Sequence, residues 1–185
     1  MDATGLETRH ISRYFVWRQG KRHKRYCWPK LTAVVEIHSH LYLSAHVSKG
    51  PSQDSPQLRP AVRSARQRCP LDTLLGDSGY DGEHQHAWCR QKQGIRLTLF
   101  ALNRRGTGRR WPKSRYRRQM KRYFRRRGRR RPRRLYGQRW QAESVFSRSK
   151  RRLGSALRAR IWRNQKKEIV LRVLTHNLLI LGHKT

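Results

Sequence analysis

The chain is predicted to fold as a mixed α/β sheet with helices packed against it, and three patterns carry that expectation. Two apolar-rich runs, Leu31 to Ile37 and Leu41 to Val47, are joined by a short His-Ser-His segment and read as an antiparallel hairpin. A strand-like run from Asp72, a helical stretch over Glu83 to Gln93 and a second strand over Ile95 to Leu102 read as a parallel βαβ unit. The C-terminal third then carries helical periodicity.

Taken in order, Arg13 to Trp17 is an aromatic and β-branched strand candidate followed by a basic turn, GKRHKR. The hairpin ends at Lys49-Gly50-Pro51. Asp54 or Ser55 can cap the next helix, with Pro56 or Pro60 in its first turn and its end near Arg68. Leu74 and Leu75 lead directly into Asp77, where Gly79 and Gly82 break the chain. From Asn103 to Arg134 more than half the residues are Arg or Lys and none is acidic. That segment reads as an Arg-rich linker or insertion, or as an arm that tracks nucleic acid, with Trp111, Tyr116, Tyr123 and Phe124 available to stack on bases. A helix carrying Glu143 follows, with Leu135, Ala142, Phe146 and Leu153 as its apolar stripe and Gly154 as its stop. The last helix, about Gln165 to Leu181, spaces Ile169, Val173, Leu174, Leu178 and Leu181 as a core-covering element.

Charge narrows the partner. The 185 residues hold 46 Lys+Arg against 10 Asp+Glu, a formal charge of +36. Counterion release from nucleic acid rewards such a surface without any sequence reading. The best apolar run, Ile169 to Leu181, is interrupted by Arg172 and His176, so no membrane span or membrane partner is expected. MDATGLETRH has no apolar leader segment, and the expected location is the cytoplasm, on the nucleoid. Cys27, Cys69 and Cys89 lack paired spacing and read as free thiols. The pairs His38/His40 and His84/His86 read as surface or satisfied histidines rather than metal ligands.

One segment concentrates chemistry. YGQRWQAESVFSRSK sets Tyr136, Arg139, Glu143 and Lys150 at offsets 0, 3, 7 and 14, within an arc of roughly 60° on a single helix. A carboxylate, two cations and a phenol on one face can hold a divalent metal and a phosphate together. Asp77, at the C-terminal end of a strand before a glycine turn, stands where α/β sheets place ligands. Each has a plainer reading: Asp77 as a turn residue, and Glu143 as the i, i+4 surface partner of Arg139.

The spacing Tyr136-x2-Arg139-x3-Glu143-x6-Lys150 resembles the YREK signature of bacterial insertion-sequence transposases of the insertion sequence 4 type. DSGYDGE, from Asp77, is similar to the segment bearing that family's second catalytic aspartate, and MDATGLE to the one bearing the first, at Asp2. WPKLTAVVEI, SKGPSQDSPQ, RRWPKSRYRRQMKR and LRVLTHNLLIL extend the resemblance over essentially the whole chain. It implies a ribonuclease H-like mixed sheet flanked by helices and one catalytic domain over residues 1–185, with the Arg-rich insertion at about 103–134. It also implies a DDE mechanism in which Asp2, Asp77 and Glu143 are catalytic and hold two Mg²⁺ ions. Tyr136, Arg139 and Lys150 would bind DNA phosphates. The implied partners are double-stranded DNA, as transposon ends and as target, and further copies of the chain in a homo-oligomer on DNA.

Two departures from the family pattern set further expectations. Asp2 directly follows Met1, so the first strand and an upstream DNA-binding region are expected to be missing, with Asp2 on a fraying end. RRRGRRRPRR before Tyr136 is an arginine-rich expansion. Both point to a truncated or decayed copy. The rival readings are a non-enzymatic basic nucleic-acid-binding protein and a ribonuclease H-like nuclease.

Overall fold

The computed structural model describes residues 1–8, 28–100, 111–125 and 130–182. The expected strand at Arg13 to Trp17, its basic turn, Cys27 and part of the Arg-rich stretch lie outside them. Strands β1 (Asp2–Gly5), β3 (Trp28–Val35) and β4 (Tyr42–Gly50) form an antiparallel sheet in the order β1-β3-β4. Asp2 stands opposite Ala33 and Gly5 opposite Lys30. The β3–β4 pair is the expected hairpin, with a register shift between Val34 and Val35. Strands β5 (Thr73–Gly76) and β6 (Leu97–Phe100) pair in parallel, as the strand-helix-strand pattern predicts. The short β2 (Glu7–Thr8) runs parallel to β7 (Ala156–Leu157).

Alternation along β3 decides what covers the sheet, because successive side chains point to opposite faces. Leu31, Ala33 and Val35 join a buried cluster with Ala142, Val145 and Phe146 of α5 (Trp140–Leu153) and Ile169 of α6 (Trp162–Gly182). Val34 joins the other cluster, with Leu58, Ala61, Val62 and Ala65 of α1 (Leu58–Arg66) and Leu74, Leu75, Leu99 and Phe100 of the parallel pair. The antiparallel sheet is therefore covered by helix on both faces. A 3₁₀ turn, Ser55–Gln57, precedes α1 and carries Pro56 in its opening turn. Asp54 occupies the cap position without a side-chain capping bond and pairs instead with Lys30. Helix α2 (Glu83–Ala87) runs on as a π-helical segment, Trp88–Lys92, that fills the crossover between β5 and β6.

Three expectations need correction. Asp2 does not fray: it opens β1, which is held in a ladder with β3. Met1 is buried, and its ammonium group donates to the Leu75 carbonyl of β5 at 2.7 Å, joining the antiparallel and parallel pairs. Second, the Arg-rich stretch is not all linker, since α3 (Arg115–Arg125) docks on the core. Tyr116 and Met120 are buried, and the Phe100 N–H donates to Met120 Sδ at 3.2 Å. Acidic residues hold that basic helix: Asp81 accepts two bonds from the Arg117 guanidinium at 2.9 and 2.8 Å, and Glu83 accepts the Tyr116 and Arg117 N–H groups. Third, α6 turns Gln165, Ile169 and His176 inward and leaves Leu174, Leu178 and Leu181 exposed. Its core side is set by polar anchors invisible to an apolar count: Asn177 exchanges bonds with the Tyr42 backbone, and His176 bonds the His40 carbonyl.

His86 is a satisfied core histidine, 2.7 Å from the Thr98 hydroxyl and 3.4 Å from Asp81. Cys69 and Cys89 are free thiols. Among the described residues no helix is long and apolar enough to cross a membrane.

Candidate active site

Asp77 follows β5 in extended backbone (φ −78°, ψ 168°) and caps the Ser78–Tyr80 turn, accepting the Ser78 N–H at 2.7 Å. Gly76, just before it, lets the strand lie against an aromatic wall: a Cβ there would stand 2.9 Å from Phe100 Cδ1. The Tyr136 hydroxyl, on α4 (Arg130–Gly137), donates to the Gly76 carbonyl at 3.2 Å and ties that helix to the residue preceding Asp77.

The four signature residues do not share one helix, as their spacing predicts. Gly137, a weak helix former, ends α4, and the Gln138 and Arg139 N–H groups bond three residues back rather than four. Arg139 takes the cap position of α5, Glu143 lies in its first turn and Lys150 two turns further on. Asp2, whose Oδ1 accepts the Ala3 N–H at 2.9 Å, faces them. Asp2, Glu143 and Lys150 line a single cleft of about 500 Å³ with Ser147, Arg151 and Ser155.

Arg139 is the electrostatic centre. Its guanidinium meets Glu143 Oε1 at 2.8 Å. Partial burial works against its charge, yet Glu143, then Tyr136, Asp2 and Asp77, hold its proton more firmly than usual. Burial raises the Asp2 carboxyl above its usual range; the Ala3 N–H, the terminal ammonium and Arg139 oppose that, and Glu143 adds to it. Both plainer readings also hold geometrically, since Asp77 is a turn cap and Glu143 is an i, i+4 partner.

A family model described as a transposase DDE domain matches residues 1–178. The chain belongs to the DDE transposase family. Neither a curated protein nor a solved structure matches it. Membership brings transposition-related cutting of DNA as the activity and DNA as the partner.

For this transposase domain the donor chemistry at Asp2, Asp77 and Glu143 suits a magnesium-like ion, being all hard oxygen. Their placement is not yet that of a ligand shell. Among the described residues no three His, Cys, Asp or Glu side chains stand close enough to share a metal ion, and Glu143 is drawn to Arg139 instead. The site also holds residues that motif spacing passes over. Tyr80 is 1% exposed, its hydroxyl has no hydrogen-bond partner among the described residues, and burial, then Asp54, Asp2 and Asp77, push its pKa up. A large tyrosine between two turn glycines was the available signal.

The basic arm is corrected in detail. Tyr116 is buried, and Tyr123 and Phe124 pack on the core, with Phe124 edge-on to Tyr136 at 5.4 Å. Of the four aromatics expected to stack on bases, only Trp111 lies open (42% exposed), with Lys121 and Arg125 4.7 and 4.8 Å from its ring centre.

Proposed function

We propose that the chain is the catalytic domain of an insertion-sequence transposase of the insertion sequence 4 type. It hydrolyses a phosphodiester at the element's end and passes the freed 3′-hydroxyl to target DNA, as a homo-oligomer on paired ends. The observation that carries this reading is that Asp2, Glu143 and Lys150 line one cleft, with Glu143 paired to Arg139. The ladder order supports a ribonuclease H-like sheet: β4-β3-β1 antiparallel, then the Met1–Leu75 bond across to the parallel pair β5-β6.

Asp2, Asp77 and Glu143 are the groups that would hold divalent ions, which when bound supply Lewis acid activation of the attacking and leaving oxygens. Arg139 binds a phosphate through its planar fork, Lys150 as a point charge, and Tyr136 fixes the strand end that carries Asp77. A working site, rather than a decayed one, is favoured by the strand that holds Asp2. Strand cleavage and joining on duplex DNA bearing the element's ends, with Mg²⁺ and beside Glu143→Gln, tests the proposal. DNA binding without Glu143-dependent cleavage would overturn it in favour of a non-enzymatic basic DNA-binding protein.

A further inference from the structure

His40 stands at the tip of the β3–β4 hairpin with φ +62°, in the left-handed region that favours glycine. The turn itself does not call for a ring there. The Glu36 carbonyl accepts the His40 N–H, and the Glu36 carboxylate caps the His38 N–H, whatever side chain occupies position 40. What a histidine adds is its two nitrogens. Nε2 lies 2.9 Å from Gln141 Oε1 and Nδ1 lies 3.2 Å from Arg148 Nη1, both on α5. From the other side, His176 of α6 donates to the His40 carbonyl at 3.1 Å.

Chemistry fixes the state of that ring. A guanidinium only donates, so Nδ1 accepts from Arg148 and Nε2 carries the proton given to Gln141. The bridging imidazole is therefore neutral. Gln141 and Arg148 are about two turns apart on α5, and Glu143 lies between them. Ala142, Val145 and Phe146 seat the same helix on Leu31, Ala33 and Val35 by apolar packing, which has no direction of its own. Bonds from one ring to two turns of the helix set its rotation and its register along the sheet. Strand β3 of that hairpin also holds Asp2, through its ladder with β1. The His40 bridge thus ties the helix bearing Glu143 to the sheet bearing Asp2.

We infer that His40 is a positioning residue for the cleft, its neutral ring holding α5 at the register that brings Glu143 into the same cleft as Asp2. It acts through α5, and misplacing a reacting group by even about 1 Å can cost a hundredfold in rate. The charged and titratable groups around the tip are Arg148 and Arg152 of α5, His176 of α6, and Glu36 and His38 of the turn itself. Burial, with Arg148, Arg152 and His40, lowers the His176 pKa against the pull of the His40 carbonyl, so His176 holds that carbonyl as a neutral donor. Protonation of His40 in acid replaces the Nδ1 acceptor by a donor aimed at a guanidinium, and the bridge opens. The consequence for cleavage rests on the catalytic reading of the cleft; the clamp on α5 does not.

The test is amide hydrogen exchange and DNA cleavage by the full chain beside His40→Gly, which suits the left-handed turn and removes the ring. Exchange at the α5 amides from 143 to 150 should quicken at least about 10-fold, while the urea midpoint holds, because the turn strain leaves with the ring. Turnover on duplex DNA ends with Mg²⁺ should fall about 10–100-fold with DNA affinity unchanged, the mark of a lost supporting group. The parent-to-variant ratio of turnover should shrink toward one in acid, where the parent's bridge is already open; taking the ratio cancels the titration of Asp2. Nitrogen-15 spectra of the parent should show His40 as the neutral Nε2–H tautomer at neutral pH. Unchanged α5 exchange, or a charged or Nδ1–H His40, would overturn the inference. Faster exchange with turnover unchanged in an active parent would also overturn it. A parent without Glu143-dependent cleavage would instead overturn the proposed function, and the exchange comparison would still decide the clamp.

Discussion

Arg139 and Glu143 form an ion pair at 2.8 Å across the first turn of α5, open to solvent on the Glu143 side. The Glu143 side chain is 54% exposed, so solvent screens the contact and its worth is about 0.3–0.5 kcal/mol. A DNA phosphate offers Arg139 a bidentate partner of higher charge density. Were Arg139 to turn to it, the Glu143 carboxylate would be released to face Asp2 across the cleft.

Glu143→Gln keeps the shape of the side chain and removes its charge. Cleavage should fall by more than about 100-fold, beyond the ~10–100-fold that loss of a supporting partner costs. Affinity for duplex DNA should hold or rise slightly, because one negative charge leaves a basic cleft. Gel-based cleavage and fluorescence anisotropy on the same preparation separate the two. Retained cleavage would remove Glu143 from the catalytic set.

Asp2→Asn should stabilise the fold while abolishing cleavage. Burial raises the folded-state pKa of Asp2 above its unfolded value, so in the window between them the native chain binds more protons than the unfolded one. Stability then falls as pH rises through that window, and the deficit persists above it. Asn carries no such deficit. Urea midpoints from about pH 3 to about pH 8 should coincide at the acid end and diverge in favour of the variant as pH rises through the raised pKa. A variant less stable than the parent at neutral pH would show that the Asp2 charge is net favourable.

The elements whose physics is local were legible in the sequence. The β3–β4 hairpin and the β5-to-β6 crossover follow from apolar runs punctuated by turn residues, and Gly154 stops α5 with φ +91° as a helix-ending glycine does. What escaped was tertiary. Spacing placed Tyr136 and Glu143 on one helix because periodicity does not register a break as short as Gly137 to Arg139. Composition made residues 115–125 part of a linker or a nucleic-acid-tracking arm because it could not see that Asp81 and Glu83, more than thirty residues earlier, supply the countercharge. Tyr80 stands beside the site through burial and field, which sequence motifs do not encode.

The Asp81–Arg117 pair therefore makes its own prediction. Asp81 is fully buried and Arg117 is 19% exposed, with two near-parallel bonds between them. Asp81→Ala leaves a largely desolvated guanidinium without its partner and also strips His86 of a neighbour. A cost of about 3–5 kcal/mol is expected from breaking one side of a buried pair. Chemical denaturation measures it, and protease cleavage within 111–125 should appear first if α3 undocks before the rest. A loss under about 1 kcal/mol would mean α3 is held by Met120 and Tyr116 packing and the Glu83 bonds, without need of the Asp81 pair.

DNA binding should be steep in salt, and its slope reports which cations touch phosphate. With 46 Lys+Arg against 10 Asp+Glu, a site engaging six or more phosphates loses at least about 10³-fold in affinity between about 50 and 200 mM salt. Replacing one phosphate-binding cation lowers the slope by about one. Lys150→Ala and Arg139→Ala should each do so, whereas Arg172→Ala should not. Arg172 already pairs with Glu168 at 2.7 Å and donates to the Gly154 and Ala156 carbonyls, so three of its five donors and its charge are committed within the chain. Equal slopes for all three variants would move the DNA track off the cleft and onto the basic surface at large.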